Sequence, residues 1–212
     1  MDIRPLVVEN PLLAILRNVP LEKTIDYAEA IVKGGVKFFE VAMNSEHACE
    51  QISMMRKHFS DDVKIGAGTV ITMERAHAAL DAGAGFFLSP STDLDVLDFC
   101  QKEGIMMMPG AMTPTDVSNC MRRGFYTVKL FPAGDLPPKY IKSLKGPLDG
   151  TEYVAIGGVT PDNIGTFFQN GFLGVGLGSA MIPKAYVANN EWEKGSEYVK
   201  DLLNRIAEAK KA

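Results

Sequence analysis

The chain has 212 residues, 46% hydrophobic and 23% charged, with a formal net charge of −4, which is the composition of one ordinary globular domain. The negative balance argues against nucleic acid as the main partner, because binding a phosphate backbone takes a basic surface. No apolar stretch approaches the roughly 18 residues that would suggest a membrane span.

In chain order, residues 1–10 carry Asp2, Arg4 and Glu9 rather than a charged start followed by an apolar run. They do not read as a signal peptide, so a short cap and a cytoplasmic location are expected. Short β-rich runs then fall at 12–17, 36–42, 63–68, 85–89, 105–109, 125–131, 153–158 and 172–178. Helical patterns lie between them at 21–33, 46–58, 72–82, 92–103, 114–123, 137–145 and 161–170, with a last one at 191–210. Glycines punctuate the helix ends, at Gly34-Gly35, Gly83, Gly104, Gly124 and Gly171, where a left-handed residue closes the last turn. Thr113-Pro114 and Thr160-Pro161 place a capping hydroxyl before a proline at the first helical position.

Strict alternation of strand and helix allows a closed barrel or a doubly wound open sheet. Eight units favour the barrel, and no linker or compositional break divides 1–212. The expected class is therefore α/β, a single (β/α)8 TIM barrel with a short N-terminal cap. Cys49, Cys100 and Cys120 are odd in number and lack a C-x-x-C pair, so reduced, mostly buried thiols are expected. His47, His58 and His77 lack ligand spacing, and neither a metal nor a cofactor is expected.

Catalysis in such barrels sits at the C-terminal ends of the strands, where Arg17, Glu40, Thr69 and Lys129 come from four different runs. Alternation places Phe125, Thr127, Lys129 and Phe131 on one face of 125–131, and the inner face is expected for Lys129. Burial lowers a lysine's pKa, a nearby Arg17 pushes the same way, and a neutral amine attacks carbonyls. The alternative is a structural Lys129–Glu40 ion pair, a costly way to fill a core. Glu40 suits the shuttling of protons, Arg17 a bidentate clamp on a carboxylate, and Thr69 a further donor to it. Gly157-Gly158 and Gly178-Ser179 follow the last two runs, where barrels commonly bind phosphate, although tight backbone packing also explains such glycines.

These residues carry a family resemblance. Glu40-Val41, Gly66-Ala67-Gly68-Thr69-Val70, Ser89-Pro90, Pro109-Gly110, Lys129-Leu130-Phe131-Pro132-Ala133, Gly157-Gly158-Val159 and Gly178-Ser179 resemble the 2-keto-3-deoxy-6-phosphogluconate aldolases. That family also includes 4-hydroxy-2-oxoglutarate and 2-keto-3-deoxy-6-phosphogalactonate aldolases. The resemblance spans Leu12 to Ile182. It implies an imine between Lys129 and pyruvate, proton transfer by Glu40, and a pyruvate pocket lined by Thr69 and Pro90. It further implies a substrate phosphate held by Gly157, Gly158, Gly178 and Ser179, and a homotrimer.

Asn44 stands where the phosphogluconate type has an arginine, and Ile156 where it tends to have threonine. Arg17, Asn44-Ser45 and Ile156 resemble the phosphogalactonate branch, leaving the C4 epimer open, and Phe131 joins Asn44 and Ile156 as a candidate specificity residue. The expected reaction is reversible cleavage of a 6-phosphorylated 2-keto-3-deoxy-sugar acid to pyruvate and glyceraldehyde 3-phosphate. The alternatives are cleavage of 4-hydroxy-2-oxoglutarate to pyruvate and glyoxylate, a non-catalytic barrel that binds a phosphorylated sugar acid, and an isomerase or epimerase using the same phosphate loops.

Overall fold

A computed structural model describes residues 2–137 and 139–211. Its strands are β1 (Leu12–Leu16), β2 (Phe38–Ala42), β3 (Lys64–Gly68), β4 (Phe87–Leu88), β5 (Met107–Met108), β6 (Gly110–Ala111), β7 (Thr127–Leu130), β8 (Glu152–Ile156) and β9 (Gly174–Leu177). They form one parallel sheet in the order β5-β4-β3-β2-β1-β9-β8-β7-β6. Its two outermost strands are halves of a single pass broken at Pro109, which has no N–H to give to a ladder. The Pro109 carbonyl still accepts from the Lys129 N–H at 2.9 Å. Eight passes therefore close into the expected barrel, with β5 paired to β4 and β6 to β7.

The helices are α1 (Arg4–Glu9), α2 (Thr24–Lys33), α3 (Ala48–His58), α4 (Met73–Asp81), α5 (Leu94–Glu103), α6 (Pro114–Arg122), α7 (Tyr140–Lys145), α8 (Ile164–Gln169), α9 (Lys184–Ala188) and α10 (Trp192–Ala209). The capping expectation holds for α6, where the Thr113 hydroxyl accepts from Asp116 N–H and the Asp116 carboxylate accepts from Thr113 N–H. Thr160 and Asn163 satisfy one another in the same way, but as an isolated turn, so α8 starts at Ile164 rather than 161. Residues 21–23 are a 3-10 turn, not part of α2. The start of the 137–145 pattern includes Pro138, which lies outside the described residues, and α7 begins at Tyr140. Helix α9 has no counterpart among the expected elements. The glycines at the helix ends behave as predicted: Gly35, Gly83, Gly104, Gly124 and Gly171 all have positive φ.

Two apolar layers follow from the period-two alternation of every strand. Leu12, Ala14, Phe39, Val41, Ile65, Ala67, Val128, Leu130, Tyr153, Ala155, Val175 and Leu177 face the helices. Leu13, Ile15, Phe38, Leu88, Met108, Val154 and Ile156 fill the barrel. Phe125 departs from expectation. It packs in the outer layer because β7 begins only at Thr127, and the alternation that turns Lys129 inward does not reach back to it.

The N-terminal cap is a plug. Ile3 and Val7 join the inner cluster with Leu13, Phe38 and Val154, and a Cβ on Gly174 would lie 2.8 Å from Val7 Cγ1. The Asp2 carboxylate accepts from Thr127 Oγ1 at 3.1 Å. Because Ile3 is 1% exposed, Ile3→Ala should cost about 2–5 kcal/mol. Urea unfolding checks this, and a loss under about 1 kcal/mol would show that α1 does not seal the barrel.

Candidate active site

Glu40 lies level with Ile15 on β1 and Gly66 on β3, and Lys129 level with Gly110 and Val154. Inner-face glycines create the room these side chains occupy. A Cβ on Gly68 would overlap the Glu40 carboxylate, and one on Gly66 would overlap the Phe86 ring. A Cβ on Gly110 would meet the Pro90 and Ser91 backbone. That contact is fastened by hydrogen bonds: Gly110 N–H donates to Ser89 Oγ at 3.2 Å, and Thr92 Oγ1 donates to Gly110 O at 2.7 Å. Pro90 is thereby fixed at the mouth beside β4.

Lys129 is 2% exposed. Loss of solvent around the amine holds its pKa below the ordinary 10.5; Glu40 opposes this and Arg17 reinforces it. Glu40 is fully buried, and neither carboxyl oxygen has a hydrogen-bond partner among the described residues. The Lys129–Glu40 ion pair weighed from sequence does not form among the described residues. A buried carboxyl without a hydrogen bond costs stability, and this one lies close enough for its charge to act on an amine that burial biases toward neutrality. The Lys129 Nζ sits 5.2 Å from the centroid of the Phe131 ring.

Above Phe131 opens a cleft of about 540 Å³ at the C-terminal ends of β1, β7, β8 and β9. It brings together Arg17, Phe131, Ile156, Gly157, Gly158, Gly178 and Ser179 from the expected set, and adds Lys184. Gly157 and Gly158 have positive φ, and side chains there would press on Phe131 and on Gly134 Cα at 2.9 and 2.8 Å. Tight packing is thus a sufficient reason for both glycines, as the alternative reading held. Gly178 differs, since its nearest neighbour is Ile15 O at 4.0 Å and its surroundings are open. Asn163 Nδ2 donates to Gly158 O at 2.9 Å and steadies that turn.

Thr69, Pro90 and Asn44 belong to the ends of β3, β4 and β2, and they do not line the cleft. Thr69 has φ 59°, a left-handed conformation unfavourable for a β-branched residue and typical of strained functional positions. Arg75 Nη1 donates to the Thr69 carbonyl at 3.1 Å, a support no sequence motif announced. Asn44 is exposed; its neighbour Ser45 accepts the Asn18 N–H at 3.2 Å and so ties the loop after Arg17 to β2. Arg17 itself makes no ion pair among the described residues. Lys184 left only a faint signal, a lysine five positions beyond Ser179. Cys100 and Cys120 are buried free thiols, with burial raising their pKa to about 12 and about 11. Among the described residues there is no group of His, Cys, Asp and Glu that could hold a metal ion, and no helix long and apolar enough to cross a membrane.

Residues 3–197 match the family described as KDPG and KHG aldolase. The chain is 29% identical to 2-dehydro-3-deoxy-6-phosphogalactonate aldolase of Escherichia coli, over 90% of this chain and 93% of that protein. It is 30% identical to 2-dehydro-3-deoxy-phosphogluconate aldolase of Treponema pallidum, over 82% and 83%. Its fold superposes with a TM-score of 0.84, at 26% identity and over 94% of this chain and 97% of the other, on a KDPG aldolase from Legionella pneumophila with pyruvate captured as a covalent carbinolamine. A closed parallel barrel with a buried lysine on an inner strand face is a form that lyases of this kind share. The chain belongs to the KDPG and KHG aldolase family.

The buried amine carries a stability signature. Lys129 has a folded pKa below its unfolded 10.5, so between those two values the unfolded chain binds more protons than the folded one. Stability therefore rises with pH through that window and levels off above it. Lys129→Met should remove this slope and stabilise the fold at neutral pH by about 1–2 kcal/mol. Urea unfolding of both proteins at several pH values measures the difference; equal slopes would mean that the amine is not depressed.

Proposed function

We propose that the chain is a class I aldolase that reversibly cleaves a 2-keto-3-deoxy-6-phospho-sugar acid to pyruvate and glyceraldehyde 3-phosphate through an imine on Lys129. One observation carries the reading: a buried amine whose pKa burial lowers lies within reach of the charge of a buried Glu40 carboxyl that has no hydrogen-bond partner among the described residues, below a cleft whose charged lining is Arg17 and Lys184.

In the cleavage direction the neutral Nζ adds to the C2 carbonyl, and the proton that the nitrogen sheds passes to the C2 oxygen, giving a neutral carbinolamine. Protonated Glu40 supplies the proton with which the C2 hydroxyl leaves as water, forming the iminium. Glu40, now a carboxylate, takes the proton of the C4 hydroxyl. The C3–C4 bond breaks, its electrons pass to C3 and on to the iminium nitrogen, and C4 departs as the aldehyde of glyceraldehyde 3-phosphate. Glu40 returns its proton to C3 of the enamine, and water adds to the resulting pyruvate iminium as Glu40 takes up the proton that the water loses. A proton then moves from the carbinolamine hydroxyl to the nitrogen as the C–N bond breaks, freeing pyruvate and the neutral amine with Glu40 again protonated. Each step uses one acid/base group near one amine, which is what the chamber holds.

Arg17 and Thr69 bind the substrate carboxylate, and Pro90 walls the pyruvate. Gly157, Gly158, Gly178 and Ser179 receive the phosphate. Asn44, Ile156 and Phe131 bear on which epimer is accepted. Arg17 fits its role by making no ion pair among the described residues, and the strained Thr69 backbone supports a positioned donor. The assembly expected is a homotrimer located in the cytoplasm.

Borohydride reduction in the presence of pyruvate should leave a mass adduct on Lys129 and none on Lys129→Met. An unmodified protein, or an adduct on another lysine, would sink the imine and leave the non-catalytic or isomerase readings. The two relatives of differing epimer preference stand at near-equal identity, so identity does not choose between C4 epimers. Apolar Ile156, 4% exposed beside the phosphate turn, favours the galactonate type. In side-by-side rates the galactonate substrate should win in kcat/KM by roughly ten-fold or more, about the worth of one hydrogen-bond partner. A preference for the gluconate epimer would reverse that assignment, and faster turnover of 4-hydroxy-2-oxoglutarate than of either would replace the substrate class.

A further inference from the structure

The charged residues lining the cleft above Phe131 are Arg17 and Lys184, and no carboxylate lines it, although the chain as a whole is net negative. Glycine N–H groups and the Ser179 hydroxyl are neutral donors, whereas a phosphate monoester brings close to two negative charges that need a cation nearby. Arg17 acts on the imine end, since its charge reaches the Lys129 amine. That leaves Lys184 for the far end.

Lys184 is exposed and makes no ion pair or hydrogen bond among the described residues. Its backbone, by contrast, is anchored. Met181 and Ile182 just before it are 0% and 1% exposed. At the other end of α9, Lys23 Nζ donates to Val187 O at 2.8 Å and to Ala188 O at 3.3 Å. A fixed root and a flexible four-carbon stem let an ammonium follow an anion in the cleft as a point charge. The five-residue helix adds nothing; the argument rests on the side chain.

We propose that Lys184 is the specificity-determining cation for the phosphate end of the substrate, setting the preference of this site for phosphorylated over neutral-ended 2-oxo acids. This rests on the phosphorylated-substrate reading above. Lysine at this position supplies ground-state and transition-state binding alike, so it acts on KM rather than on kcat.

The test compares wild type, Lys184→Met and Lys184→Arg on 2-keto-3-deoxy-6-phosphogalactonate and its unphosphorylated counterpart, with inorganic phosphate as a competitive inhibitor. Lys184→Met should raise KM for the phosphorylated substrate roughly ten- to a hundred-fold, with kcat within about two-fold. The inhibition constant of inorganic phosphate should rise in parallel, and Lys184→Arg should restore most of both. The preference for the phosphorylated over the unphosphorylated acid, taken as a ratio of kcat/KM values, should fall in Lys184→Met by the same factor, with a far-UV circular dichroism spectrum and a urea midpoint matching wild type showing that the variant is folded. A wild type that discriminates between the two substrates, with Lys184→Met discriminating equally, overturns the Lys184 assignment alone. A wild type that treats both substrates alike overturns the phosphorylated-substrate reading and this one with it.

Discussion

The withdrawal of one amine from water governs how the rest of this barrel is built. To keep Lys129 dry, the chamber needs apolar walls from Ile15, Phe38, Phe86, Leu88 and Met108, yet it must leave room for a substrate beside the amine. Glycines on the inner faces reconcile the two demands. Gly66 admits the Phe86 ring, Gly68 the Glu40 carboxylate and Gly176 the side chains of Ile156 and Ile15. A methyl at any of these places would collide with a wall or with the acid itself, so space in the chamber is written into the backbone.

The charges around the amine are kept apart instead of neutralising one another. Among the described residues Glu40 has no hydrogen-bond partner and Arg17 no ion pair, so neither is spent on the other or on a neighbour. Leaving the buried Glu40 carboxyl without a hydrogen bond costs stability, whereas Arg17 is exposed and costs little, and the arrangement keeps a proton-transfer group at Glu40 and an unpaired guanidinium at the mouth. The strained Thr69, braced by Arg75, is the same kind of expense in backbone conformation.

Much of this was legible in the sequence. The alternation of strand and helix, the glycines at helix ends and the inward turn of Lys129 follow from periodicity and turn chemistry, which are local. Phe125 was misread because a two-residue shift in where β7 begins decides whether alternation applies. The division of the fifth pass is signalled by Pro109, but that the pass completes the ring on both sides of the proline is a tertiary fact. No periodic pattern marks Arg75, whose guanidinium donates to the Thr69 carbonyl, or Lys184, which joins the lining of the cleft, because the curvature of a loop decides both placements. The glycine turns were half legible, since sequence shows a glycine but not whether the space it leaves is filled by protein, as at Gly158, or open, as at Gly178.

The plug formed by α1 has a consequence for traffic. With Ile3 and Val7 seated in the floor of the barrel, that end is filled among the described residues, and at the other end Phe131 lies between the cleft and Lys129. On the proposed imine reading, the three-carbon fragment bonded to the amine lies deepest, under whatever occupies the cleft. The aldehyde fragment would then leave first and pyruvate last, and in the synthetic direction pyruvate would be loaded before its partner arrives. A dead-end compartment thus imposes a queue, and the sequence of arrivals and departures follows from a short helix at the far end of the molecule from the chemistry.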